Sequence, residues 1–360
     1  MQNDVQTIVF CSTSYAYYDR RMQRIIKHLK KKNDVIWYSR VHTPGFLMSD
    51  FNNREIHCFF KRGPLFYLEF NLRLFINLMT EKYDIISSVD LDSLLACFLA
   101  SRFRKRRLIF DAHEIFHEVP ELEGKPIRRW VWKSLSKFLF NKPDAKYTVN
   151  KSLADVFNHQ FNSDFGIVRN VPELNHLEGI PQRSSMTLCY LGVVNKGRGL
   201  DVILHSMQKL KEYKLMVIGG GDLLKETEQL ASQLKIENRV EFKGFVDPSD
   251  IPKLLSECSI GLNILDPNSD NYKFSLANKF FDYIHACLPS INMNFEEYRN
   301  INKRHQVSIL IDEYSSDQLI KAVRLLENDS TYNTLRANCK SAREIYNWKS
   351  ESAKLSEYYS

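Results

Sequence analysis

The stretch YKFSLANKFFDYIHACLP, residues Tyr272–Pro289, has the pattern of a buried helix that carries a polar stripe. Apolar side chains occupy most positions from Ser275 onward, which is typical of a helix enclosed on all sides. Asn278, Asp282 and His285 nevertheless fall at i, i+4 and i+7, so they share one face. Because buried polar groups destabilise a fold unless they are satisfied, this face predicts either an internal ion pair or a bound ligand.

The residues alone leave both interpretations of this helix open. In the first, the helix belongs to the core, and Lys279 and Asp282 form an ion pair. In the second, the helix lines a cleft and Ser275 caps its N-terminus, where free N–H groups and the helix dipole attract anions. Lys279 would then bind a phosphate, and Asp282 would bind hydroxyl groups.

Short apolar runs alternate with helical patterns along the chain, which predicts parallel sheets built from βαβ units. A first series of strands is expected at Thr7–Cys11, Val35–Ser39, Ile56–Phe60, Asp84–Val89, Leu108–Asp111 and Lys146–Asn150. A second series is expected at Met186–Leu191, Lys214–Ile218, Val240–Lys243, Ile260–Leu265, Ser290–Met293 and Ser308–Ile311. Sheets of this kind bind ligands at the carboxyl ends of their strands. No glycine-rich dinucleotide fingerprint follows the first strand, which argues against an NAD-binding first domain.

A glycine-containing loop, GVVNKGRG at Gly192–Gly199, lies between a predicted strand and a helix expected from Leu200. Glycine lets the backbone approach a ligand closely, and Lys196 and Arg198 place cations near a helix N-terminus. The spacing is not the Walker pattern, which argues against a nucleotide-hydrolysing P-loop. A second glycine cluster, GGGD at Gly219–Asp222, predicts a tight turn after the next strand.

The segment DAHEIFHEVPE, Asp111–Glu121, begins at the end of a predicted strand and contains two histidines and four acids. Its ligands do not repeat at a helical metalloprotease spacing, so no metal site is expected. His113 and Glu114 either serve a functional site at the strand end or cap the helix that follows.

The net charge of +7 is concentrated in the first half of the chain. Residues 1–165 contain 26 Lys and Arg against 18 Asp and Glu, whereas residues 166–360 contain 24 against 25. Lys125–Lys142, KPIRRWVWKSLSKFLFNK, has the pattern of a basic amphipathic helix with Trp near its start. Together with Ser101–Leu108 it predicts an anionic membrane surface as partner. The alternative is that its apolar flank packs on the sheet while Lys and Arg face water.

Cysteine usage and the N-terminus indicate the compartment. The chain has seven Cys and no CxxC pair, which predicts reduced thiols in a cytoplasmic protein. The N-terminus lacks the pattern of a signal peptide, and no stretch is apolar for long enough to span a bilayer. We therefore expect a cytoplasmic protein that associates at most peripherally with the inner face of the cell membrane.

Several of these motifs resemble those of one enzyme family. NKFFDYIHACLP resembles the NK-x-F-x-Y-x-x-x-G-x-P signature of retaining GT-B glycosyltransferases of the large family-4 type, which include many bacterial cell-surface polysaccharide sugar transferases. DAHE resembles the family's D-x-HE segment, GVVNKGRG its donor-phosphate loop, and IVRNVPE (Ile167–Glu173) the turn that ends its first domain. The family's two acidic positions fall on Phe274 and Asp282, so the first lacks its acid, and Cys287 replaces the usual Gly.

The resemblance implies an α/β fold of GT-B type, with two Rossmann-like doubly wound domains facing a central cleft. An acceptor-side domain would span 1–170, a nucleotide-sugar donor domain 171–345, and a last helix at 346–360 would cross back to the first domain. The polar run Leu177–Ser185 would be the hinge.

The resemblance also implies site residues and a reaction. The catalytic residues would be His113, Arg198 and Lys279. The donor would be bound by Gly192, Lys196, Gly199, Gly220, Phe245, Asn278 and Asp282, and the acceptor side would include Arg20 and Glu114. A sugar would pass with retention from a nucleotide-sugar to a glycan or lipid-linked acceptor, without a metal or other cofactor and without nucleic acid. Two alternatives stay open: a nucleotide-sugar epimerase of similar fold, and a catalytically silent nucleotide- or glycan-binding partner.

Overall fold

The structure, a computed structural model, describes residues 5–41, 51–119, 122–174 and 186–360. The chain divides into two compact units, one made of Met1–Asn170 with Ser352–Ser360 and the other of Val171–Glu351. Each unit is a parallel sheet with helices in its crossovers, which confirms the prediction of two Rossmann-like α/β domains. The predicted hinge at Leu177–Ser185 lies outside the described residues.

In the described part of the first unit, a parallel sheet is built from β1 (Thr7–Tyr15), β2 (Asp34–Arg40), β3 (Asn53–Ile56), β4 (Ile85–Val89), β5 (Arg107–Ala112), β6 (Ala145–Thr148) and β7 (Gly166–Ile167). The helices that connect them are α1 (Arg20–Leu29), α2 (Pro64–Thr80), α3 (Leu91–Arg104), α4 (Pro126–Leu139) and α5 (Lys151–Phe161). The order across the sheet is β3-β2-β1-β4-β5-β6-β7. The strand order therefore reverses between β1 and β4, and their carboxyl ends form the edge at which such sheets bind ligands.

The predicted strand at Ile56–Phe60 is wrong, because β3 ends at Ile56. The backbone N–H groups of Phe59 and Phe60 donate to the Glu69 carboxylate at 2.9 and 3.0 Å instead of joining a sheet. Both Phe side chains are exposed. The carboxylate of Glu69 thus binds the backbone N–H groups that a neighbouring strand would bind in the predicted sheet.

The described part of the second unit also contains a parallel sheet, built from β8 (Thr187–Leu191), β9 (Lys214–Ile218), β10 (Val240–Gly244), β11 (Ile260–Asn263), β12 (Ser290–Met293) and β13 (Ser308–Ile311). Its helices are α6 (Leu200–Met207), α7 (Leu224–Gln233), α8 (Ile251–Ser256), α9 (Asp270–Lys273), α10 (Asn278–His285), α11 (Glu296–His305), α12 (Ser316–Leu325) and α13 (Asp329–Arg343). A last helix, α14 (Trp348–Tyr358), begins in this unit, and its residues from Ser352 onward belong to the first unit. The order across the sheet is β10-β9-β8-β11-β12-β13. The reversal between β8 and β11 puts the end of β8 at the expected ligand edge.

The helix within Tyr272–Pro289 is shorter than the prediction, because α10 begins at Asn278. Ser275 does not cap it: the Ser275 hydroxyl donates to the Tyr272 carbonyl at 2.8 Å, and Ala277 occupies the N-cap position. After the helix, Cys287 has a left-handed backbone with φ of 52°. That conformation explains why the resembling signature carries glycine there.

The C-terminal segment belongs to the core of the first unit. Tyr359 is buried, and its hydroxyl lies 2.7 Å from the Ser87 hydroxyl and 3.0 Å from that of Tyr147. Its ring packs 5.7 Å from that of Phe10, centroid to centroid. Residues 352–360 therefore pack against strands of the first unit that lie far away in sequence.

The cysteines of the chain are free, buried thiols in the structure, and burial raises the pKa of Cys11 and Cys339 well above the ordinary value.

Across residues 5–41, 51–119, 122–174 and 186–360, the structure contains no helix with the length and apolarity that crossing a membrane requires.

Tyr359→Phe is expected to lower the free energy of unfolding by about 1–3 kcal/mol, because the buried hydroxyls of Ser87 and Tyr147 both lose a partner. Urea unfolding followed by tyrosine and tryptophan fluorescence measures the change. The matched control is Tyr18→Phe, at an exposed position, which should unfold like the wild type. Equal midpoints for both variants would contradict the proposed anchoring of the C-terminus.

Candidate functional site

Three glycine turns meet at the carboxyl ends of β8, β9 and β10. The Gly192 N–H donates to the Ile218 carbonyl at 2.9 Å, and the Gly219 N–H donates to the Gly244 carbonyl at 2.8 Å. Gly199 adopts φ of 82° at the start of α6, and a Cβ there would lie 2.2 Å from the Ile264 carbonyl oxygen. Only glycine fits at that position, so the loop Gly192–Gly199 is held close against the sheet.

Gly220 and Phe245, both predicted to bind the donor, lie against each other. A Cβ on Gly220 would come within 2.5 Å of the Phe245 ring, so the ring rests on bare backbone. Phe245 is nevertheless 66% exposed. An exposed aromatic face fixed at a strand end can stack on a planar ligand.

Lys279, in the first turn of α10, is a buried cation without a hydrogen-bond partner among the described residues. Its Nζ lies 3.9 Å from the centroid of the Tyr190 ring. Its Cε would lie 3.5 Å from a Cβ on Gly192, so the ammonium is next to the glycine loop. Lys279 and Asp282 are both described by the structure, and they do not form the ion pair of the first interpretation. That interpretation is therefore wrong.

Burial lowers the pKa of Lys279 well below its ordinary value, and the nearby Arg198 lowers it further. Arg198 itself stacks on Tyr272, with 5.4 Å from its guanidinium carbon to the ring centroid, and its Nε is buried without a described partner. The Tyr272 hydroxyl donates to the Lys196 carbonyl at 2.9 Å and so holds the loop in place. Two neighbouring cations, each with a buried nitrogen left unsatisfied, are the electrostatic pattern of an anion site.

The polar stripe of α10 divides into two parts. Asn278 and Asp282 lie on the same helix as Lys279, and Asp282 is buried. His285 makes an internal contact instead, since its Nε2 donates to the Tyr346 carbonyl at 2.7 Å. The C-terminal part of the stripe is therefore structural, and the N-terminal part lies at the sheet edge with the glycine loop.

In the first unit, a buried ion pair links α1 to the end of β5. Arg21, 3% exposed, donates from Nε and Nη2 to the two carboxylate oxygens of Asp111 at 3.1 and 2.9 Å, and from Nη1 to the Val168 carbonyl at 3.0 Å. Burial alone would raise the pKa of Asp111, but Arg21 and His113 lower it to about 2. The predicted residue Arg20 precedes this arginine and is only partly buried. The side chain that reaches the strand end is thus that of Arg21, which sequence reasoning missed.

His113 lies between two carboxylates. Its Nδ1 is 3.2 Å from Asp90 Oδ2, its Nε2 is 3.1 Å from Asp111 Oδ2, and its backbone N–H donates to Asp90 Oδ1 at 2.8 Å. Burial alone would lower the pKa of His113, but Asp111 and Asp90 raise it well above the ordinary value. Both carboxylates therefore favour the protonated form of His113, while the Nε of Arg21 also lies 3.0 Å from His113 Nε2. Glu114, its predicted companion, is partly buried beside it.

Asp92 is a second residue that the sequence analysis missed. It is 7% exposed, accepts a hydrogen bond from the Thr13 hydroxyl, and leaves its Oδ1 without a described partner. Burial, with Asp90 nearby, raises the pKa of Asp92 to about 8. The signal was available, since the acids of VDLD directly follow a buried strand at the switch-point edge. Within the described residues, no group of three or more His, Cys, Asp or Glu is arranged to hold a metal ion.

Two family models match the chain. The one described as glycosyl transferases group 1 matches residues 180–344, and the one described as glycosyltransferase family 4 matches residues 19–172. No curated protein sequence matches the chain at a significant level.

Solved structures share the fold over nearly the whole length. HepE of Anabaena, in complex with UDP and glucose, is 14% identical with a TM-score of 0.78, covering 98% of both chains. Sucrose-phosphate synthase of Thermosynechococcus elongatus is also 14% identical, with a TM-score of 0.78 and 98% of both chains covered. WaaG, a glycosyltransferase involved in lipopolysaccharide biosynthesis, is 14% identical with a TM-score of 0.75, covering 97% of this chain and 98% of its own.

The raised pKa of Asp92 predicts a pH-dependent stability. The folded state holds this proton up to about pH 8, whereas the unfolded chain releases it near pH 4, so the stabilisation is present at low pH and lost as pH rises through 8. Between about pH 6 and pH 9 the wild type should lose about 2 kcal/mol of unfolding free energy relative to Asp92→Asn. Urea unfolding at several pH values measures this difference. Asp34→Asn, at an exposed position, is the control, and a wild type that runs parallel to Asp92→Asn would contradict the buried neutral carboxyl.

Proposed function

We propose that this glycosyltransferase of GT-B fold transfers a hexose from a nucleotide-sugar donor to a glycan or lipid-linked acceptor with retention of anomeric configuration. The setting that we propose is the assembly of a cell-surface polysaccharide on the cytoplasmic side of the membrane. WaaG, a fold relative, is involved in lipopolysaccharide biosynthesis, which supports this setting.

The observation that carries the proposal is the buried, unpartnered ammonium of Lys279 beside Arg198. Burial without a partner disfavours the charged form of Lys279, so an anion that binds there supplies the counter-ion that the free protein lacks. The site lies at the carboxyl end of β8, where the glycine loop lets a ligand approach the backbone. The diphosphate of a nucleotide-sugar has the charge and size to fill it.

The surrounding residues fit the remainder of such a donor. The exposed Phe245 ring, resting on Gly220, offers a stacking face for the base. Asp282 occupies the position that the family signature gives to a ribose ligand, one turn along α10 from Lys279. HepE is bound to UDP and glucose in one structure and to UDP-glucose in another, which supports a donor of this class.

The chemistry that we propose is electrostatic. As the glycosidic bond to the diphosphate breaks, negative charge develops on the leaving oxygen, and Arg198 and Lys279 offset it from fixed positions. Each such contact contributes about 3 kcal/mol in the transition state, by analogy with the loss of one preorganised donor. The two cations would take the part that a metal plays elsewhere, so we propose a reaction without metal or other cofactor.

We propose that the acceptor binds to the first unit, at the β4 and β5 ends. There Asp90 and His113 lie within 3.2 Å of each other, and the buried Oδ1 of Asp92 has no described partner. Because both nitrogens of His113 face carboxylates, we propose that it orients the donor sugar or acceptor as a charged group and does not act as a general base. Arg20 and Glu114 remain proposed acceptor-side residues.

One departure from the family favours a second candidate. Phe274, at the end of α9, stands where the family has its first acidic residue, and a Phe cannot hold sugar hydroxyls. A nucleotide-binding partner without turnover would retain the Lys279 site and lack that acid. Binding of nucleoside diphosphate without sugar transfer to any acceptor would favour this candidate.

Arg198→Ala and Lys279→Ala are each expected to weaken binding of a nucleoside diphosphate about 100-fold, because each removes a charge that faces the diphosphate. Binding of the free nucleoside should change little. Asp282→Asn should weaken both ligands alike, since a ribose contact is common to them. Calorimetric titration with UDP and uridine, and with GDP and guanosine, measures the effects. Sugar transfer should persist in EDTA.

The control is Lys273→Ala, an exposed lysine in α9, which should bind both ligands like the wild type. Removal of the buried charge of Lys279 should not lower the melting temperature in the absence of ligand, because no ion pair is broken. A Lys279→Ala variant that unfolds easily yet binds diphosphate normally would place Lys279 in the core and refute the assignment.

A further inference from the structure

Helix α2 is apolar on two opposite sides. Phe66, Phe70, Leu74 and Leu78 are buried against the first unit. A second stripe, at i, i+3, i+7 and i+11, points away from them and is between 54% and 68% exposed: Leu65, Leu68, Leu72 and Ile76. A helix that is apolar all round is normally enclosed on all sides. Among residues 5–41, 51–119, 122–174 and 186–360, the outer stripe of α2 is thus left exposed, although an apolar face of this kind is normally buried.

Neighbouring helices expose apolar residues as well. On α3 these are Leu99 and Phe103, and on α4 they are Ile127, Trp130, Val131 and Phe138. Ile127 is 78% exposed and Phe138 56%, whereas Leu139 is fully buried. The alternative in which the apolar flank of α4 packs on the sheet is thus wrong for most of that flank.

Ring contacts join the three helices into one surface. Phe75 of α2 lies 6.0 Å from Phe103 of α3, centroid to centroid. Phe98 of α3 lies 6.1 Å from Phe138 of α4, and Tyr67 of α2 lies 5.0 Å from Trp132 of α4. We call the exposed side of α2, α3 and α4 the three-helix surface. Monomeric proteins rarely expose so many contiguous large apolar side chains without a partner.

The charges on the three-helix surface are mostly positive. The helices carry these basic residues: Arg73, Arg102, Arg104, Arg128, Arg129, Lys133 and Lys137. Their acids are Asp92, which is buried, and Glu69, which pairs with Arg73 at 2.8 Å. An occupant of this surface must therefore combine apolar material with negative charge.

We propose that the three-helix surface binds an anionic lipid bilayer, with the outer stripe of α2 and Trp130 inserted at the acyl boundary and the Arg and Lys residues on the headgroups. A bilayer interface supplies both the apolar depth and the negative charge that the surface calls for. A second copy of this chain fits less well, because a symmetric contact would bring Arg and Lys against Arg and Lys with hardly an acid to pair them. Membrane binding would therefore draw on the exposed apolar side chains of α2 as well as on the basic residues of α3 and α4.

Membrane binding by the three-helix surface would serve the proposed function, and this role rests on the proposal that the acceptor is lipid-linked. A first unit lying on the bilayer would hold its acceptor site next to the membrane in which such an acceptor resides. Binding to vesicles needs neither donor nor acceptor, so its outcome is independent of the nucleotide-binding experiment.

The test is co-flotation of the full chain with vesicles of phosphatidylcholine alone or mixed with phosphatidylglycerol. We expect binding to the anionic vesicles only, weakened but not abolished by high salt, because the apolar part is not screened. Leu68→Ser with Leu72→Ser should weaken it at least about tenfold, since two inserted side chains are lost. Arg128→Gln, Lys133→Gln and Lys137→Gln together should weaken it about 100-fold.

Matched controls change the same chemistry elsewhere. Leu325→Ser with Ile345→Ser alters two exposed apolar residues of the second unit, and Lys30→Gln, Lys31→Gln and Lys32→Gln remove three exposed charges from the first unit. Both should bind like the wild type. No binding to anionic vesicles, or equal loss in the patch and control variants, would overturn the proposal. The proposal would also be overturned if sedimentation analysis showed a dimer of the wild type that the Leu68→Ser, Leu72→Ser variant does not form. The three-helix surface would then be a contact between copies of the chain.

Discussion

The rest of the donor-binding unit depends on one feature, the amino group of Lys279, which is buried without a described hydrogen-bond partner. Lys279 lies in the first turn of α10 with its Nζ 3.9 Å from the centroid of the Tyr190 ring, next to Gly192. Burial and the neighbouring Arg198 both disfavour its charged form. Gly192 of the glycine loop and Arg198, which stacks on Tyr272, lie next to this amino group. Each makes physical sense if an anion completes the site.

The charged cluster of the first unit has the opposite character. Asp111 is satisfied by Arg21 and His113, and His113 is in turn satisfied by Asp90. A saturated network of this kind fixes the positions of its members, since breaking any pair leaves a buried charge alone. The free carboxyl oxygen of Asp92 is the exception at that edge. The two units thus differ in a way that suits their proposed roles, one presenting unsatisfied positive charge to a donor and the other a rigid, polar rim to an acceptor.

Sequence patterns predicted most of the strands, because buried parallel strands are short apolar runs and little else in the chain resembles them. They also singled out Lys279 and the glycine loop, since motif spacing reports which backbone turns and charges occur together. They failed where the answer depends on three-dimensional surroundings. Periodicity could not tell that Arg21, and not Arg20, faces Asp111, nor that Ser275 lies outside the helix it was expected to cap. Nor could the pattern show that the outer stripe of α2 is exposed, because apolarity in a sequence does not say what covers it.

The central claim, that the Lys279 site binds the diphosphate of a nucleotide, is tested most directly by the protons exchanged on binding. At about pH 8.5 the phosphates of a nucleoside diphosphate are fully ionised, since their last pKa is near 6. Calorimetric titration in buffers of different ionisation enthalpy then reports the protein's own uptake. Because burial has lowered the pKa of Lys279 and a diphosphate would raise it, the wild type should take up protons on binding, and Lys279→Met should take up fewer. Equal proton uptake in both proteins, with equal affinity, would contradict the account.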